Sequence, residues 1–408
     1  MAGWAMLPRV TILGLGYIGL PTAALLASRG FRVQGVDSNP AVLARLASGR
    51  AHIAEPEVEA LLERGLRTGL LTLHAEPPPA EVFLIAVPTP LGPDHAPVLE
   101  HVFAAARALA PALAEENLVL LESTSPIGAT ARVAALLGAL RPDLSALHVA
   151  YGPERVLPGR ILTELTENDR VAGGLTPEAT RRAVDFYRLF VRGAVLGADA
   201  ATAEMVKLAE NAFRDVNIAF ANELSLIAEA QGIDVWRVIA LANRHPRVNI
   251  LRPGPGVGGH CIAVDPWFLA AAAPEAARLI PAARAVDAAK RAHVIARAAA
   301  LAEAGERLIC LGLAFKADVD DLRESPALAI ATALARRFPG QVVAVEPHLA
   351  APPEGLAAPL LTLEQAFAAP GAVLLLTDHA AFARIPRAWL EGRAVIDTRG
   401  LFRDEETE

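Results

Sequence analysis

The sequence predicts an α/β protein in which two doubly wound domains are joined by a long central helix and a helical dimerisation region. Short apolar runs alternate with alanine-rich helical patterns in the first half of the chain and again after residue 306. Between them, residues 202–231 contain neither Gly nor Pro and are too long for a typical globular helix. We therefore expect three domains, at residues 1–199, 200–300 and 301–408.

Composition narrows the class of protein. With 53% hydrophobic and 20% charged residues, the 408-residue chain is globular and can bury a large core. A net charge of -7 argues against a nucleic-acid partner, although it allows a local basic pocket. Two cysteines make no disulfide framework, so we expect a cytoplasmic protein with reduced thiols. We expect no signal peptide and no membrane span, because the first residues lack a basic segment and the apolar runs are short.

Residues 9–37 predict a dinucleotide site in the first, Rossmann-like domain. A buried strand, a glycine motif, a helix and a second strand that ends in an acid follow one another. The motif comprises Gly14, Gly16, Tyr17, Ile18 and Gly19. Its glycines permit a tight turn, close approach of a pyrophosphate and helix packing, and the helix N-terminus attracts phosphate. Asp37 can bind ribose hydroxyls and disfavours a 2′-phosphate, so NAD is expected rather than NADP.

Two further strand ends carry candidate residues. Pro88 and Thr89 follow the strand-like run 82–87, and Thr124 follows the run 117–121. Ligands of open α/β sheets bind at the carboxyl ends of the strands, so we expect these residues near the cofactor. For Thr124 an ordinary turn or a helix cap is the alternative.

Cys261 is the candidate nucleophile. It follows a glycine-rich loop that includes Gly258, and Asp265 lies four residues later. Glycine lets a ligand approach the main chain, and a thiol reacts as its thiolate. The alternative is a tight turn over a small buried thiol. Cys310, in a strand-like run, is expected to be a core residue.

Lys207 and Asn211 share one face of the predicted central helix because they lie four residues apart. A solvated helix face is the alternative reading for such a pair. Their apolar neighbours, among them Met205 and Leu208, favour partial burial instead. The length of this helix also suggests a dimer interface.

Together these segments resemble the UDP-glucose/GDP-mannose dehydrogenase family over nearly the whole chain. Single motifs of this kind are weak evidence, whereas seven of them in order are highly specific. They are residues 14–20, 87–90, 122–126, 153–154, 207–211, 258–265 and 312–326. Residues 154–159, 214–223 and 241–268 are similar to the branch that oxidises UDP-N-acetyl-D-mannosamine. Pro158 stands where the UDP-glucose enzymes usually carry a second glutamate, which weakens a UDP-glucose assignment.

The resemblance implies that the protein oxidises a sugar's primary alcohol to a carboxylate, with two NAD⁺ consumed. Cys261 would capture the aldehyde as a thiohemiacetal and carry the thioester that water hydrolyses. Lys207 and Asn211 would stabilise oxyanions, with Lys207 a possible proton-transfer group. Asp265 would assist proton transfer or hydrolysis, while Thr124 and Glu154 would hold the water or the alcohol. The sequence does not distinguish which of these groups is the general base.

The resemblance also implies the residues that bind the UDP-sugar. Lys316 and Arg323 resemble contacts to its pyrophosphate and sugar; a pyrophosphate suits a point charge and a bidentate guanidinium. Arg247 and Arg252 are weaker candidates, and Arg247 could reach the site of a neighbouring subunit in a homodimer. His260 could favour the Cys261 thiolate or only position the turn. The remaining candidates are Glu154, Arg155, Val156, Lys207, Asn211 and Gly258; no metal is expected.

Three alternatives to this reading remain. The same chemistry could act on UDP-glucose or UDP-N-acetylglucosamine. An ordinary two-electron dehydrogenase would leave Cys261 structural. A non-catalytic nucleotide-sugar binding protein is the third, although the set of Lys207, Cys261 and Asp265 argues against it.

Overall fold

A computed structural model describes residues 6–53, 55, 57–157, 159–259 and 261–403. These residues form two compact units. The first comprises the described part of Met1–Glu210 together with Trp267–Ala272, and the second comprises Asn211–Pro266 and the described part of Ala273–Glu408. The predicted α/β class is confirmed, while the three-domain division at 199/200 and 300/301 stays a prediction.

The first unit is built on an eight-stranded sheet in the order β3-β2-β1-β4-β5-β6-β7-β8. Its strands are parallel except for the antiparallel pair β6 and β7. The strands are β1 (Val10–Leu13), β2 (Val33–Val36), β3 (Leu71–His74), β4 (Val82–Ile85), β5 (Leu118–Leu121), β6 (His148–Tyr151), β7 (Arg170–Gly174) and β8 (Val195–Asp199). The first six follow the order of a dinucleotide-binding sheet, and β1 lies at the point where the strand order reverses.

Helices of the first unit lie between these strands and cover the sheet. They are α1 (Gly19–Ser28), α2 (Pro40–Ala47), α3 (Val58–Thr68), α4 (Glu100–Leu109), α5 (Ala129–Leu140), α6 (Ile161–Glu167) and α7 (Pro177–Tyr187). In β4, Val82 and Leu84 enter one core cluster while Phe83 and Ile85 enter another. The strand is therefore buried on both faces, as its uninterrupted apolar run predicts.

The second unit contains a four-stranded parallel sheet in the order β10-β9-β11-β12. Its strands are β9 (Leu308–Leu311), β10 (Val342–Val345), β11 (Ala372–Leu375) and β12 (Val395–Asp397). Helix α8 (Ala200–Ala230) begins in the first unit and continues into the second. The other helices of the second unit are α9 (Val235–Ala242), α11 (Leu279–Glu303), α12 (Pro326–Arg337) and α13 (Leu363–Phe367), while α10 (Asp265–Ala272) begins in the second unit and belongs to the first from Trp267 onward. The strands predicted after residue 306 are confirmed.

Helix α8 ends as its sequence predicts. Gly232 takes a positive φ of 66°, and the amide of Ile233 donates to the carbonyl of Ala228 at 2.8 Å, which closes the last turn. Among the described residues, no helix is both long enough and apolar enough to cross a bilayer. The cytoplasmic location stays a prediction.

Candidate active site

The turn after β1 has the geometry of a cofactor cradle. Gly14 has φ 89°, and a Cβ there would lie 2.5 Å from the carbonyl oxygen of Ala86. A Cβ on Gly19 would lie 1.8 Å from the carbonyl oxygen of Gly14, whereas a Cβ on Gly16 would meet nothing within 4 Å. The outer glycines are thus required by packing, and the turn is open at Gly16, where a pyrophosphate would approach. Tyr17 and Ile18 are partly exposed in the same turn.

Asp37, the acid that follows β2, is hydrogen-bonded to the glycine turn. Oδ2 of Asp37 accepts from the Leu15 amide at 3.0 Å and Oδ1 accepts from the Asn39 amide at 2.9 Å. The carboxylate has about four acceptor sites, and Asp37 is partly exposed, so it retains capacity for ribose hydroxyls. In the described part of the chain, no side chain caps α1, which leaves its first amides available to phosphate.

The turns after β4 and β5 are tied together. The Thr89 hydroxyl donates to the Thr124 carbonyl at 2.6 Å, and the Val87 amide donates to Oγ of Ser123 at 2.9 Å. Thr89 is buried, while Pro88 is exposed and Thr124 partly exposed. Thr124 is not a helix cap, because α5 begins after Gly128.

Sequence reasoning missed the residue that joins α5 to α8. The buried carboxylate of Glu204 accepts from the amides of Gly128 and Thr130 at 2.6 and 2.8 Å and from the Thr130 hydroxyl at 2.6 Å. Burial raises the pKa of Glu204, and these three donors oppose the shift. A carboxylate is favourable at the N-terminus of a helix, here that of α5. The contact therefore ties α8 to α5 at Glu204, three residues before Lys207.

Lys207 is paired rather than solvated. Its ammonium donates to the carbonyl and to Oε1 of Glu154, at 2.8 and 3.1 Å, and both residues are buried. Burial acts to raise the pKa of Glu154, but the charge of Lys207 and a hydrogen bond from the Val156 amide hold that pKa below its usual value. The Glu154 carboxylate is therefore ionised at neutral pH. The predicted partial burial of this helix face is confirmed for Lys207 and Leu208, whereas Met205 is 54% exposed.

Behind this pair lies a second buried ion pair that sequence reasoning also missed. The Arg170 guanidinium donates to Oε1 of Glu122 at 2.6 Å and to the carbonyl of Gly152 at 3.0 Å. It lies 4.0 Å above the ring of Tyr187, whose hydroxyl is 3.0 Å from the same two oxygens. Burial raises the pKa of Glu122, and the charge of Arg170 opposes the shift. Arg170 also helps to keep Glu154 ionised.

Arg155 is held by protein partners. Its guanidinium pairs with Glu210 at 2.6 Å and donates to the carbonyl of Asp169 at 2.9 Å. Val156 contributes the amide that binds Glu154. The substrate-binding roles of these two residues stay predictions.

The loop before Cys261 packs against residues 315–324 of the second unit. A Cβ on Gly258 would lie 2.6 Å from the carbonyl oxygen of Glu324, and one on Gly259, at φ 86°, would lie 2.8 Å from the ring of Phe315. The Gly259 amide donates to the carbonyl of Arg323 at 3.0 Å. This contact brings the cysteine loop to the segment that carries Lys316 and Arg323.

The two cysteines differ in environment. Cys261 is partly exposed, and its carbonyl accepts from the amide of Asp265 at 2.8 Å in the turn that opens α10. Cys310 is buried in β9, where burial raises the pKa of its thiol to about 12. The alternative of a fully buried thiol therefore applies to Cys310 and not to Cys261. His260 lies outside the described residues.

Asn211 and Asp265 form a close contact in the second unit. The Asn211 amide nitrogen donates to Oδ2 of Asp265 at 2.5 Å, and Asp265 is only 2% exposed. Asp265 is the first residue of α10, so its carboxylate lies beside helix amides that favour negative charge.

The basic residues predicted to bind the UDP-sugar differ in how the protein holds them. Lys316 is exposed, and the exposed guanidinium of Arg323 is oriented by Asp321 through contacts of 2.6 to 3.1 Å. Arg252 lies over Trp236 and donates to the carbonyl of Arg399 at 3.2 Å, so the protein already holds it. Arg247 is exposed in the loop after α9.

Comparison with known proteins identifies the class. The chain matches the NAD binding domain of the UDP-glucose/GDP-mannose dehydrogenase family over residues 8–191, its central domain over 201–289 and its UDP binding domain over 309–404. The chain belongs to this family and is a nucleotide-sugar dehydrogenase that uses NAD.

Individual relatives match nearly the whole chain. The NDP-N-acetyl-D-galactosaminuronic acid dehydrogenase of Ralstonia nicotianae is 51% identical over 405 residues, or 96% of each chain. The UDP-N-acetyl-D-mannosamine dehydrogenase of Escherichia coli K12 is 47% identical over 415 residues, covering 97% of this chain and 99% of the relative. The structure of the UDP-D-ManNAc dehydrogenase from Pyrococcus horikoshii superposes with a TM-score of 0.88 at 38% identity, covering 97% and 96%.

Proposed function

We propose that the protein oxidises UDP-N-acetyl-D-mannosamine at its primary alcohol to UDP-N-acetyl-D-mannosaminuronate, with two equivalents of NAD⁺. The observation that carries the proposal is the contact of Asn211 with Asp265, which lies four residues after Cys261. A thiol, an amide donor and a carboxylate are groups that suit oxidation through a thiol-bound intermediate. The relatives named for UDP-N-acetyl-D-mannosamine support the choice of sugar.

The reaction divides one difficult oxidation into two easier ones. NAD⁺, when bound, would supply the acceptor for the hydride that the sugar carbon loses in each oxidation, and the hydroxyl proton of the alcohol would pass to a basic group of the site. After the first, the Cys261 thiolate forms a carbon–sulfur bond to the aldehyde carbon and gives a thiohemiacetal. Loss of a proton and the second hydride leaves a thioester on Cys261. Water then breaks the carbon–sulfur bond, which releases the uronate and restores the thiolate.

Lys207 and Asn211 stabilise the oxyanions that develop at the reacting carbon. Donors in a buried site act strongly because little solvent competes with them. Glu154, held ionised, accepts from the Lys207 ammonium and orients it. Asp265 assists proton transfer or hydrolysis, and Thr124 and Glu154 hold the alcohol or the water.

The second unit binds the UDP group in this proposal. Lys316 and Arg323 contact the diphosphate, and the contacts from Asp321 orient the Arg323 guanidinium before substrate arrives. Arg247 acts across a subunit interface in the dimer proposed below.

A second candidate substrate is the corresponding N-acetyl-D-galactosamine nucleotide. The 51% identity to a relative named for N-acetyl-D-galactosaminuronic acid favours it. The two sugars share the alcohol that is oxidised and differ in configuration at other ring carbons.

The test measures NADH formed per sugar with UDP-N-acetylmannosamine, UDP-N-acetylgalactosamine, UDP-N-acetylglucosamine and UDP-glucose, and identifies the product by mass spectrometry. We expect two NADH per sugar and a uronate from UDP-N-acetylmannosamine. Cys261→Ser should form no more than one NADH per sugar and release no uronate. Cys310→Ala is the matched control and should keep the wild-type stoichiometry, because its thiol is buried in β9. Absence of turnover with UDP-N-acetylmannosamine would overturn the proposed substrate.

We also propose a homodimer that forms through α8. Phe213, Phe220 and Ile227 are 68%, 48% and 55% exposed and recur every seven residues, the spacing of a helix–helix seam. Sedimentation should give twice the chain mass for the wild type and a lower mass for Phe220→Glu. Leu140→Glu, at an exposed leucine of α5, is the control and should leave the mass unchanged. A monomeric wild type would refute the dimer.

A further inference from the structure

Glu346 is a buried acid to which the sequence assigns no role. It follows β10 and is 4% exposed. Its Oε2 accepts from the amides of Leu313 and Ala314 at 2.7 and 3.0 Å and lies 3.0 Å from Nε2 of His379. Its Oε1 accepts from the amide of His348 at 3.2 Å. Four protein donors therefore occupy the carboxylate, which leaves little capacity for a ligand.

The position of Glu346 repeats that of Asp37 in the other sheet. Gly14 and Gly312 both have φ 89°, and their amides donate to the carbonyls of Val36 and Val345 at 2.8 and 2.9 Å. The acid comes next in the chain in each case, and each accepts from the amide of the leucine after the glycine. Asp37 retains acceptor capacity at a partly exposed position, whereas Glu346 directs its carboxylate entirely into the protein.

His379 extends this arrangement to the far end of the same loop. The ring is fully buried, and its Nδ1 accepts from the Asp318 amide at 2.9 Å. Nε2 therefore carries the hydrogen and donates to Glu346. Asp318 has φ 59°, a left-handed conformation that costs about 1 kcal/mol outside glycine and persists when its surroundings fix it. Its side chain accepts in turn from the amide of Ala380 at 2.9 Å.

Glu346 thus binds the first residues of the loop Leu313–Asp318, and its partner His379 binds the last one. Lys316 lies between these two ends. Two hydroxyls hold its first part: Thr377 donates to the carbonyl of Ala314 at 2.7 Å, and Ser325 donates to that of Leu313 at 2.6 Å. One possible metal-ligand atom of each of Asp318, His348 and His379 lies within 4.8 Å of the other two, a spacing that could hold a divalent cation. The Nδ1 lone pair of His379 is committed to the Asp318 amide, which favours a loop fixture over a metal site.

We propose that Glu346 and His379 are positioning residues for the nucleotide-sugar: the buried pair sets the Leu313–Asp318 loop so that Lys316 meets the diphosphate. The inference rests on the proposed role of Lys316. The second sheet then contains a turn like that of a dinucleotide site. Its acid positions a phosphate-binding lysine, whereas the acid of a dinucleotide site binds a ribose.

The test uses the full chain and measures calorimetric Kd for UDP and steady-state KM for the UDP-sugar and for NAD⁺. Glu346→Gln should raise Kd for UDP and KM for the UDP-sugar about tenfold or more, since it replaces an acceptor with donors. KM for NAD⁺ should change less than twofold. Glu364→Gln, at an exposed acid of the same sheet domain, is the control and should leave all three constants unchanged.

Two variants of His379 separate its two hydrogen bonds. His379→Gln can still donate to Glu346, and His379→Asn can still accept from Asp318. Each should give a smaller loss of UDP affinity than His379→Ala, because each retains one bond. A role limited to stability would instead lower the melting temperature and raise both KM values together.

A double variant tests whether Glu346 acts on UDP binding through Lys316. In the Lys316→Ala background, Glu346→Gln should weaken UDP binding no further, since both act through one contact. If Lys316→Ala leaves UDP affinity unchanged, the proposed role of Lys316 fails. If Lys316→Ala weakens UDP binding while the Glu346 and His379 variants bind UDP as the wild type does, the positioning role is refuted and the role of Lys316 stands.

Discussion

The ammonium of Lys207 donates to two oxygens of one residue, the carbonyl of Glu154 at 2.8 Å and its carboxylate at 3.1 Å. Both side chains are more than nine-tenths buried. Removal of either charge leaves the other buried without its partner, which destabilises far more than removal of both. This relationship allows the contribution of Lys207 to folding to be separated from its contribution to catalysis.

Lys207→Met should lose activity and stability together. We expect kcat to fall about 10³-fold through loss of oxyanion stabilisation. The free energy of unfolding should fall by about 3–5 kcal/mol because Glu154 stays buried without its cation. Lys207→Met combined with Glu154→Gln should recover most of the stability and none of the activity. Urea unfolding and NADH initial rates measure the two effects; wild-type stability in the single variant would contradict the pairing.

Asn211→Asp should make activity more sensitive to pH. The variant places a second carboxylate against Asp265, where the amide now donates at 2.5 Å. Two close carboxylates share a proton and titrate as a pair with a raised apparent pKa. We expect kcat above pH 7 to fall more than kcat near pH 6. The pH profile of Asn211→Ser, which adds no charge, is the comparison; identical profiles for the two variants would argue against the contact.

Asp37→Asn should relax the choice of cofactor. Asn keeps an acceptor for the Leu15 amide but loses the charge that repels a 2′-phosphate. The ratio of kcat/KM for NAD⁺ over NADP⁺ should fall about tenfold, which corresponds to about 1.4 kcal/mol. Asp37→Glu retains the charge and should preserve most of the preference. An unchanged ratio in Asp37→Asn would place the discrimination elsewhere.

Asp215 should make the folded state lose stability as pH rises. It contacts Arg284, which also contacts Asp287. Burial raises the pKa of Asp215 to about 7, with Arg284 opposing and Asp287 adding to the shift. Because its ordinary value is 3.8, between about pH 4 and 7 the folded chain binds a proton that the unfolded chain lacks. The contribution is therefore complete below pH 4 and is lost as pH rises through 7.

Asp215→Asn removes this titration. The difference in melting temperature between pH 5 and pH 8 should shrink relative to the wild type. Asp287 also has a pKa raised by burial, so some dependence on pH should remain. A difference equal to that of the wild type would show that Asp215 does not titrate in this range.

Local patterns made the first part of the site predictable. The glycine turn and Asp37 depend on residues within one β-α-β segment, where spacing alone fixes which groups meet. Leu208, an apolar neighbour on the same helix, indicated the burial of Lys207 correctly, whereas Met205 is 54% exposed. Cys261 and Asp265 were found by their loop, although the sequence did not indicate that α10 begins at Asp265.

The supporting residues were not predictable because their partners are distant in the chain. Glu204 binds donors 74 and 76 residues away, and Arg170 binds Glu122 across 48 residues. Glu346 and His379 likewise meet across 33 residues. Each lies in an otherwise ordinary apolar or helical stretch, and only the arrangement of the strands brings the partners together.

Gly152 has a consequence for how this protein can diverge. It sits between β6 and the residue that binds Lys207, and a Cβ there would lie 2.3 Å from the Tyr187 hydroxyl. Neither residue can be substituted alone without cost. A larger residue at position 152 collides with the Tyr187 phenol, and a smaller residue at position 187 leaves a void beside Arg170. Among descendants of this chain, alanine at 152 should arise only after Tyr187 has been replaced, so the two positions should be inherited as a pair.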